Sequence, residues 1–310
     1  MRSGFVSLVG RPNVGKSTLI NALVGYKIAI TSNKAQTTRN LVQGIYNDDD
    51  SQIVFVDTPG EINPRNELGQ YMKKSIDTAI NGIDLLLIVL DGTKIGEKDF
   101  KLLEKYKNVK VPIFVCINKT DIAKYDEVYP NLAKLNELPY ITEFISTSAK
   151  TGKDVDTLIQ KIVERLPEGE FMFDPDQITD KTIRFLTAEI IREKALLYLQ
   201  EEIPHGIAVD IPKFDERNKV VEIEAEIIAT KENHKPIIIG KNGDMLKKIG
   251  ISARREIEEL VGKRVNLHTF VKVRENWQDN LSTLRDFGYD KKVKFQNYKI
   301  AKSVHTYYKS

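Results

Sequence analysis

The sequence predicts an α/β first domain, a mainly parallel sheet with helices on both faces, followed by a smaller α+β domain. Three observations carry this. Apolar runs alternate with helix-period segments from residue 5 to about residue 166, the pattern of linked βαβ units. One run, Ile83-Asp-Leu-Leu-Leu-Ile-Val-Leu90, is almost wholly apolar, as a strand covered on both faces must be. Beyond the acidic stretch 167–180, punctuated by two prolines and a glycine, the order becomes helix, two alternating strands, glycine loop, helix, strand. A length of 310 residues allows about two domains, and 41% hydrophobic with 29% charged residues suits globular cores.

The first elements hold the chemistry. Phe5-Val-Ser-Leu-Val9 reads as a strand and Thr18-Leu-Ile-Asn-Ala-Leu-Val24 as a helix. Between them stand Gly10, Arg11, Pro12, Asn13, Val14, Gly15, Lys16 and Ser17, with the GxxxxGK[ST] spacing of a P-loop. Backbone N–H groups here can cradle β- and γ-phosphates, helped by the positive end of the helix. Gly15 lets the backbone approach without a Cβ, Lys16 supplies charge, and the Ser17 hydroxyl can ligate Mg²⁺. A polar stretch, Thr31 to Asn40, contains Thr37 and Thr38. After strands at 41–46 and 53–56 come Asp57, Thr58, Pro59 and Gly60, then Glu61. An acid ending an apolar strand downstream of a P-loop is the Walker B arrangement, so Asp57 is a Mg²⁺ ligand candidate, directly or through water.

Helices are expected at 67–82, about 97–106, near 129–138 and about 155–166, with strands at 111–117 and 143–146 between them. The strand at 111–117 leads to Asn118, Lys119, Thr120 and Asp121. A carboxylate at Asp121 can accept from guanine N1–H and N2–H₂, whereas adenine would leave it unpaired. The Lys119 stem can lie over the base, and Asn118 can tie this loop to the P-loop. Ser148, Ala149 and Lys150 can present a backbone N–H to guanine O6. The order P-loop, DxxG, NKxD, SAK is specific where each string alone is not. It argues against a small-molecule kinase.

GRPNVGKS, AQTTR, DTPG, NKTD and TSAK closely resemble the Era family of bacterial ribosome-assembly GTPases. The resemblance spans about residues 4–290. It implies an α/β P-loop GTPase domain and an α+β type II KH domain, with Thr38 as the switch threonine that reaches Mg²⁺ and Thr37 as its rival. Lys16, Thr38, Gly60 and Asn13 form the expected catalytic set. In related GTPases an Asn at the position of Asn13 helps hold K⁺. Glu61 departs from the hydrophobic residue usual in the family. It is expected to point to solvent, because a carboxylate beside the γ-phosphate meets like charge.

The domains are expected at 1–168, 181–290 and a basic tail at 291–310, joined by a linker at 169–180. A helix at about 181–201 carries Phe185, Ala188, Ile191, Ala195 and Leu199 in one stripe, and the strands at 207–211 and 221–227 alternate. An apolar segment, 236–239, precedes Gly240, Lys241, Asn242 and Gly243, and a helix follows. This fits the GXXG loop of a KH domain, which clamps single-stranded RNA. Lys247, Lys248, Arg254 and Arg255 add charge for phosphate contact. Trp277 is expected to pack rather than to stack on a base. The segment from Asp180 onward is mildly basic, 25 Lys plus Arg against 20 acids, and the last twenty residues hold six Lys and no acid.

The resemblance implies GTP/GDP and Mg²⁺ as ligands, K⁺ as a further ion, and the 3′ end of 16S rRNA and the 30S subunit as partners. A cytoplasmic monomer is expected, with peripheral attachment to the inner face of the cell membrane kept open. The rival reading is a membrane-surface signalling GTPase whose basic C-terminal domain binds acidic lipid. The single cysteine, Cys116, makes no internal disulfide and suits a reducing compartment. The four His lack metal-ligand spacing, no signal peptide fits, and no apolar run approaches the roughly 20 residues of a membrane span. Asp121→Asn should weaken guanine selectivity by about 1–3 kcal/mol or more, read as the ratio of GTP to ATP affinity; unchanged GTP binding would break the guanine argument.

Overall fold

A computed structural model of the protein describes residues 1–289 apart from 35 and 218, with the backbone alone at 125–129. The expected basic tail at 291–310 lies outside the described residues. The chain begins β1 (Arg2–Val9), α1 (Lys16–Val24), β2 (Val42–Asn47), β3 (Ser51–Asp57), α2 (Glu67–Ala79), β4 (Leu85–Asp91). It continues α3 (Glu97–Tyr106), β5 (Ile113–Asn118), α4 (Tyr125–Asn136), β6 (Glu143–Ser146), α5 (Val155–Arg165). The six strands lie in the order β2-β3-β1-β4-β5-β6. Only β2 runs antiparallel to its neighbour.

Both faces are covered, as the run at 83–90 requires. Leu19, Ile20 and Leu23 of α1 and Leu158 and Ile162 of α5 pack on Val6, Leu8, Leu87 and Val89. Ile76, Leu102, Leu103 and Leu135 pack on the other face, against Phe5, Val54, Leu86 and Ile88. Cys116 is buried in the first core, and burial pushes its thiol up to about 12. It is therefore a packing residue without thiolate reactivity.

The acidic stretch expected as a linker lies along the first domain. Gln52 Oε1 accepts from Met172 N at 2.7 Å and Phe173 N at 3.0 Å. Ile45 N donates to Ile178 O at 2.9 Å. This covers the free edge of β2, which would otherwise expose unpaired backbone groups.

The second domain follows as α6 (Ile183–Tyr198), β7 (Ala208–Asp215), β8 (Val220–Ala229), α7 (Lys235–Ile239), α8 (Asp244–Val261), β9 (Arg264–Val273) and α9 (Leu281–Asp286). Its sheet is ordered β7-β8-β9, antiparallel then parallel. Val221, Ile223, Ala225 and Ile227 are fully buried beneath Ile191, Ala195, Ile249, Ala253 and Ile257. The apolar segment at 236–239 belongs to the short helix α7, with Pro236 in its first turn where a missing N–H costs little. One expectation is corrected. In the stripe expected on α6, Phe185 instead packs on the first domain's core.

Trp277 is fully buried, as expected for a packing residue. Its Nε1 donates to Gly206 O at 2.8 Å, and its ring stacks on Tyr289 at 6.0 Å. Leu68, Tyr71 and Met72 of α2 join Ala208, Ile228, Trp277, Leu284 and Tyr289 in one cluster. The two domains thus share an apolar interface built around a tryptophan. Trp277→Ala should cost about 3–5 kcal/mol, seen as a lower urea midpoint; a change near zero contradicts this interface.

Candidate active site

The P-loop forms a turn into which little but backbone fits. A Cβ on Gly10 would stand 2.6 Å from Val89 O, one on Gly15 2.3 Å from Asn118 Nδ2, and one on Gly60 2.9 Å from Pro12 Cα. Gly15 also takes φ +98, which favours glycine. A cavity of about 580 Å³ opens here, lined by Pro12, Asn13, Gly15, Lys16, Ser17, Thr38, Gly60 and Lys119 among others. Lys16 is buried, its ammonium on Gly10 O at 3.2 Å and Arg11 O at 3.3 Å. Burial lowers its pKa, partly offset by Asp57. A cation held so is short of negative charge, which a phosphate supplies.

The three expected metal ligands meet. Ser17 Oγ lies 2.7 Å from Thr38 Oγ1 and donates to Asp57 Oδ2 at 2.8 Å. Thr38 Oγ1 donates to the same oxygen at 3.3 Å. Asp57 is fully buried, and its Oδ1 is buried without a hydrogen bond. Burial raises the Asp57 pKa. An all-oxygen set around an orphaned carboxylate oxygen fits a hard divalent cation such as Mg²⁺. Thr37 is turned elsewhere, its hydroxyl donating to Lys34 O at 2.7 Å.

The NKxD loop joins the cradle through Asn118. Its Nδ2 donates to Val14 O at 3.1 Å, and its Oδ1 accepts from Ala149 N at 3.0 Å. Ala149 N–H is therefore engaged, leaving Lys150 N–H as the one uncommitted backbone N–H of residues 148–150 among the described contacts. Ser148 Oγ donates to Asp121 Oδ1 at 2.8 Å, and Thr120 is pinned to Thr147 O. Lys119 bonds Asn13 O and Asp91 Oδ2, both at 2.7 Å. Asp91 was not singled out by spacing; ending a buried strand beside β5 was its only signal.

Three residues of the expected nucleotide set point away. Arg11 pairs with Asp99 at 2.9 Å, and Thr58 Oγ1 donates to Leu8 O at 2.6 Å. Glu61 corrects the expectation of a solvent-facing carboxylate. Its Oε1 accepts from Lys105 Nζ at 2.7 Å and from the Tyr106 hydroxyl, two donors of α3. Like-charge avoidance still holds, but two donors rather than water satisfy the carboxylate. Glu193, Leu196 and Leu197 of α6 also line the cavity, a contribution from the second domain that spacing cannot reveal.

In the second domain Gly240 and Gly243 take φ of +76 and +82, and Asn242 takes +54. Lys241, Lys247, Lys248, Arg254 and Arg255 are exposed and carry no ion pair among the described residues. Ile237, Ile251 and Phe270, on α7, α8 and β9, stay 52%, 42% and 49% exposed. Phe270 lies on the open face of the sheet, with Asn266, His268 and Lys272, whereas Ile237 and Ile251 stand on the helices that cover the other face; sequence reading singled out none of the three.

Comparison with known proteins agrees with this geometry. Residues 5–119 match the model of the 50S ribosome-binding GTPase family, and residues 202–278 that of the KH domain. GTPase Era of Clostridioides difficile is 48% identical over 295 residues, covering 94% of this chain and 99% of that protein. The chain belongs to the Era family of GTPases. The Clostridium acetobutylicum Era is 47% identical over 289 residues, covering 93% of this chain and 98% of its own. Crystal structures of an Aquifex aeolicus Era variant bound to GDP and AlF₄⁻, and of Era with MgGDPNP and nucleotides 1506–1542 of 16S ribosomal RNA, each superpose with TM-score 0.88 at 40% identity. Each covers 94% of this chain, and they are themselves covered to 100% and 99%. An Era-family GTPase hydrolyses GTP, and the cradle, the buried Lys16 and the oxygen triad are the parts this reaction needs.

Asp57 makes a sharp test. Its folded pKa lies above the unfolded value, so its proton stabilises the fold fully below the carboxylate range. That contribution is lost as pH rises through the raised folded pKa. At neutral pH the bare carboxylate is then a burden that a cation relieves. Asp57→Asn should raise the Tm of the nucleotide-free chain at pH 7 and abolish Mg²⁺-dependent GTP binding. A lowered Tm with Mg²⁺ dependence intact would contradict this account.

Proposed function

We propose that this chain binds GTP with Mg²⁺, hydrolyses it, and uses its KH domain to bind the 3′ end of 16S rRNA during maturation of the 30S subunit. The observation that supports this most is the meeting of Ser17, Thr38 and Asp57 beside Lys16, in a chain whose KH loop and following helix carry exposed cations with no ion pair among the described residues. The Era structure with MgGDPNP and a 16S rRNA segment supports the partner.

In this reading Ser17, Thr38 and Asp57 hold Mg²⁺, which when bound neutralises charge on the β- and γ-phosphate oxygens. Lys16 turns from the Gly10 and Arg11 carbonyls to the phosphates. Gly60 keeps the space beside Pro12 free for them. Asp121 accepts from guanine N1–H and N2–H₂, and Lys150 N–H reaches O6. Asn13, whose Nδ2 donates to Asn33 O at 2.8 Å, offers its Oδ1 to K⁺. Lys241, Lys247, Lys248 and Arg254 contact RNA phosphates, while Ile251, beside Lys247 and Lys248, and Ile237 offer apolar surface to bases. The protein works as a cytoplasmic monomer. No helix among the described residues is long and apolar enough to cross a membrane.

Titration of the full chain with a single-stranded RNA copying the 16S 3′ end, and with its scramble at equal salt, tests the partner. Preference for the true sequence is expected. Equal, steeply salt-dependent binding to both would reduce the KH loop to a basic surface. Hydrolysis should also run faster in K⁺ than in Na⁺, with Asn13→Ala removing the difference; equal rates in wild type would remove the ion's role.

A further inference from the structure

Two buried arginines meet at the segment around Thr38, and the reading above gives neither a task. Arg192, on α6, and Arg39, next to Thr38, are each 1% exposed. Arg192 grips Glu189 through Nε at 2.7 Å and Nη2 at 2.6 Å, and Nη2 also donates to the Thr37 carbonyl. Arg39 donates through Nη1 to Ile207 O at 2.6 Å and through Nη2 to His205 O at 3.0 Å. Its guanidinium lies 5.7 Å from the Trp277 ring centroid. Thr38 therefore stands between two anchors, one on the backbone before it and one on the side chain after it. Both anchors belong to the second domain, while the Thr38 hydroxyl faces Ser17 and Asp57.

The chemistry of the anchors is specific. Arg39 is held by two carbonyls, Tyr289 and an aromatic face rather than by a carboxylate, and burial lowers its pKa. A planar guanidinium fork spans two carbonyls at once, which a lysine ammonium does not. Arg39 Nε and Arg192 Nη1 are buried without a hydrogen bond. Water would satisfy both if the domains parted, so the clamp is built to be reversible as well as directional.

We propose that Arg39 and Arg192 are positioning residues for the metal-binding threonine. Through them the docked second domain sets where Thr38 stands, and Mg²⁺-dependent GTP turnover becomes conditional on docking. The inference rests on reading Thr38 as a Mg²⁺ ligand. Fixing the chain on both sides of Thr38 presents its hydroxyl without a conformational search. By reciprocity, Mg²⁺ and triphosphate at Thr38 tighten the docking by the same factor. The diphosphate state lacks the γ-phosphate contact that orders such a segment, and it is indifferent to the clamp.

The test is a Mg²⁺ titration of GTP hydrolysis by the full chain, for wild type, Arg39→Met, Arg192→Met, Thr38→Ala and the double variant Arg192→Met with Thr38→Ala. GDP affinity is measured alongside. Each Arg→Met change should raise the half-saturating Mg²⁺ about five- to tenfold, within the usual span of linked sites, and leave GDP affinity unchanged. Arg192→Met should add nothing once Thr38 is Ala, because both act through one hydroxyl. Should the Met variants not fold, Arg39→Lys and Arg192→Lys are read the same way, with a smaller rise. If Thr38→Ala leaves the Mg²⁺ dependence untouched, the ligand reading falls and the clamp with it. If Thr38→Ala shifts it while the arginine variants match wild type, or add their full effect to Thr38→Ala, the clamp is overturned and the ligand reading stands.

Discussion

A carboxylate buried to the last square ångström, with one oxygen unbonded, is unstable company for a protein core, and the first domain is built around one. Asp57 ends β3 between Lys16, Ser17 and Thr38. Desolvation raises its pKa and the same burial lowers that of Lys16. Each group is thus short of a partner that a phosphate-bound cation and its phosphate provide together. The glycines at 10, 15 and 60 follow from the same need, since a Cβ at any of them would meet a neighbouring atom inside 3.0 Å. Fold and site are one solution here. The parallel sheet delivers its strand ends to one edge, and the loops there are free to be specialised.

That edge is also where the second domain docks. Its helix α6 lines the nucleotide cavity through Glu193, Leu196 and Leu197. Glu193 holds Lys194 and Lys27, each at 2.7 Å, and Thr31 N at 2.8 Å; against the cost of burial, Lys194 first and then the others keep its carboxyl below the usual glutamate range. On the other side Tyr71 of α2 meets Tyr289 edge-on at 5.6 Å and its hydroxyl donates to Asn40 at 2.7 Å. Both segments that flank the phosphate cradle therefore rest on the KH domain. A ligand that prefers one placement of those segments necessarily biases the docking, and a ligand of the KH domain biases it in return.

Much of this was legible in the sequence where the physics is local. GRPNVGKS, DTPG, NKTD and TSAK each describe a short backbone shape with one or two side chains, and spacing reports such shapes directly. The sheet was legible because burial on two faces forces continuous apolar runs. The helix at 235–239 was not, since three isoleucines after a proline suit a strand end equally well. Glu61 was read from charge alone, and the tyrosine that satisfies it comes 45 positions later. Arg39 and Ile207 lie 168 positions apart. No local period links a switch-segment arginine to a carbonyl in another domain, so the interface had to come from the structure.

The measurement that bears most directly on the coupling of the two domains is the affinity of the full chain for a 16S 3′-end RNA with Mg²⁺ and a non-hydrolysable GTP analogue, against that with GDP at the same salt. If the docked interface links the two sites, RNA binds more tightly in the triphosphate state, by a factor of roughly 5–150. Equal affinity in the two states would mean that the shared interface is only an adhesive between two independent domains, and the account would fail at its centre.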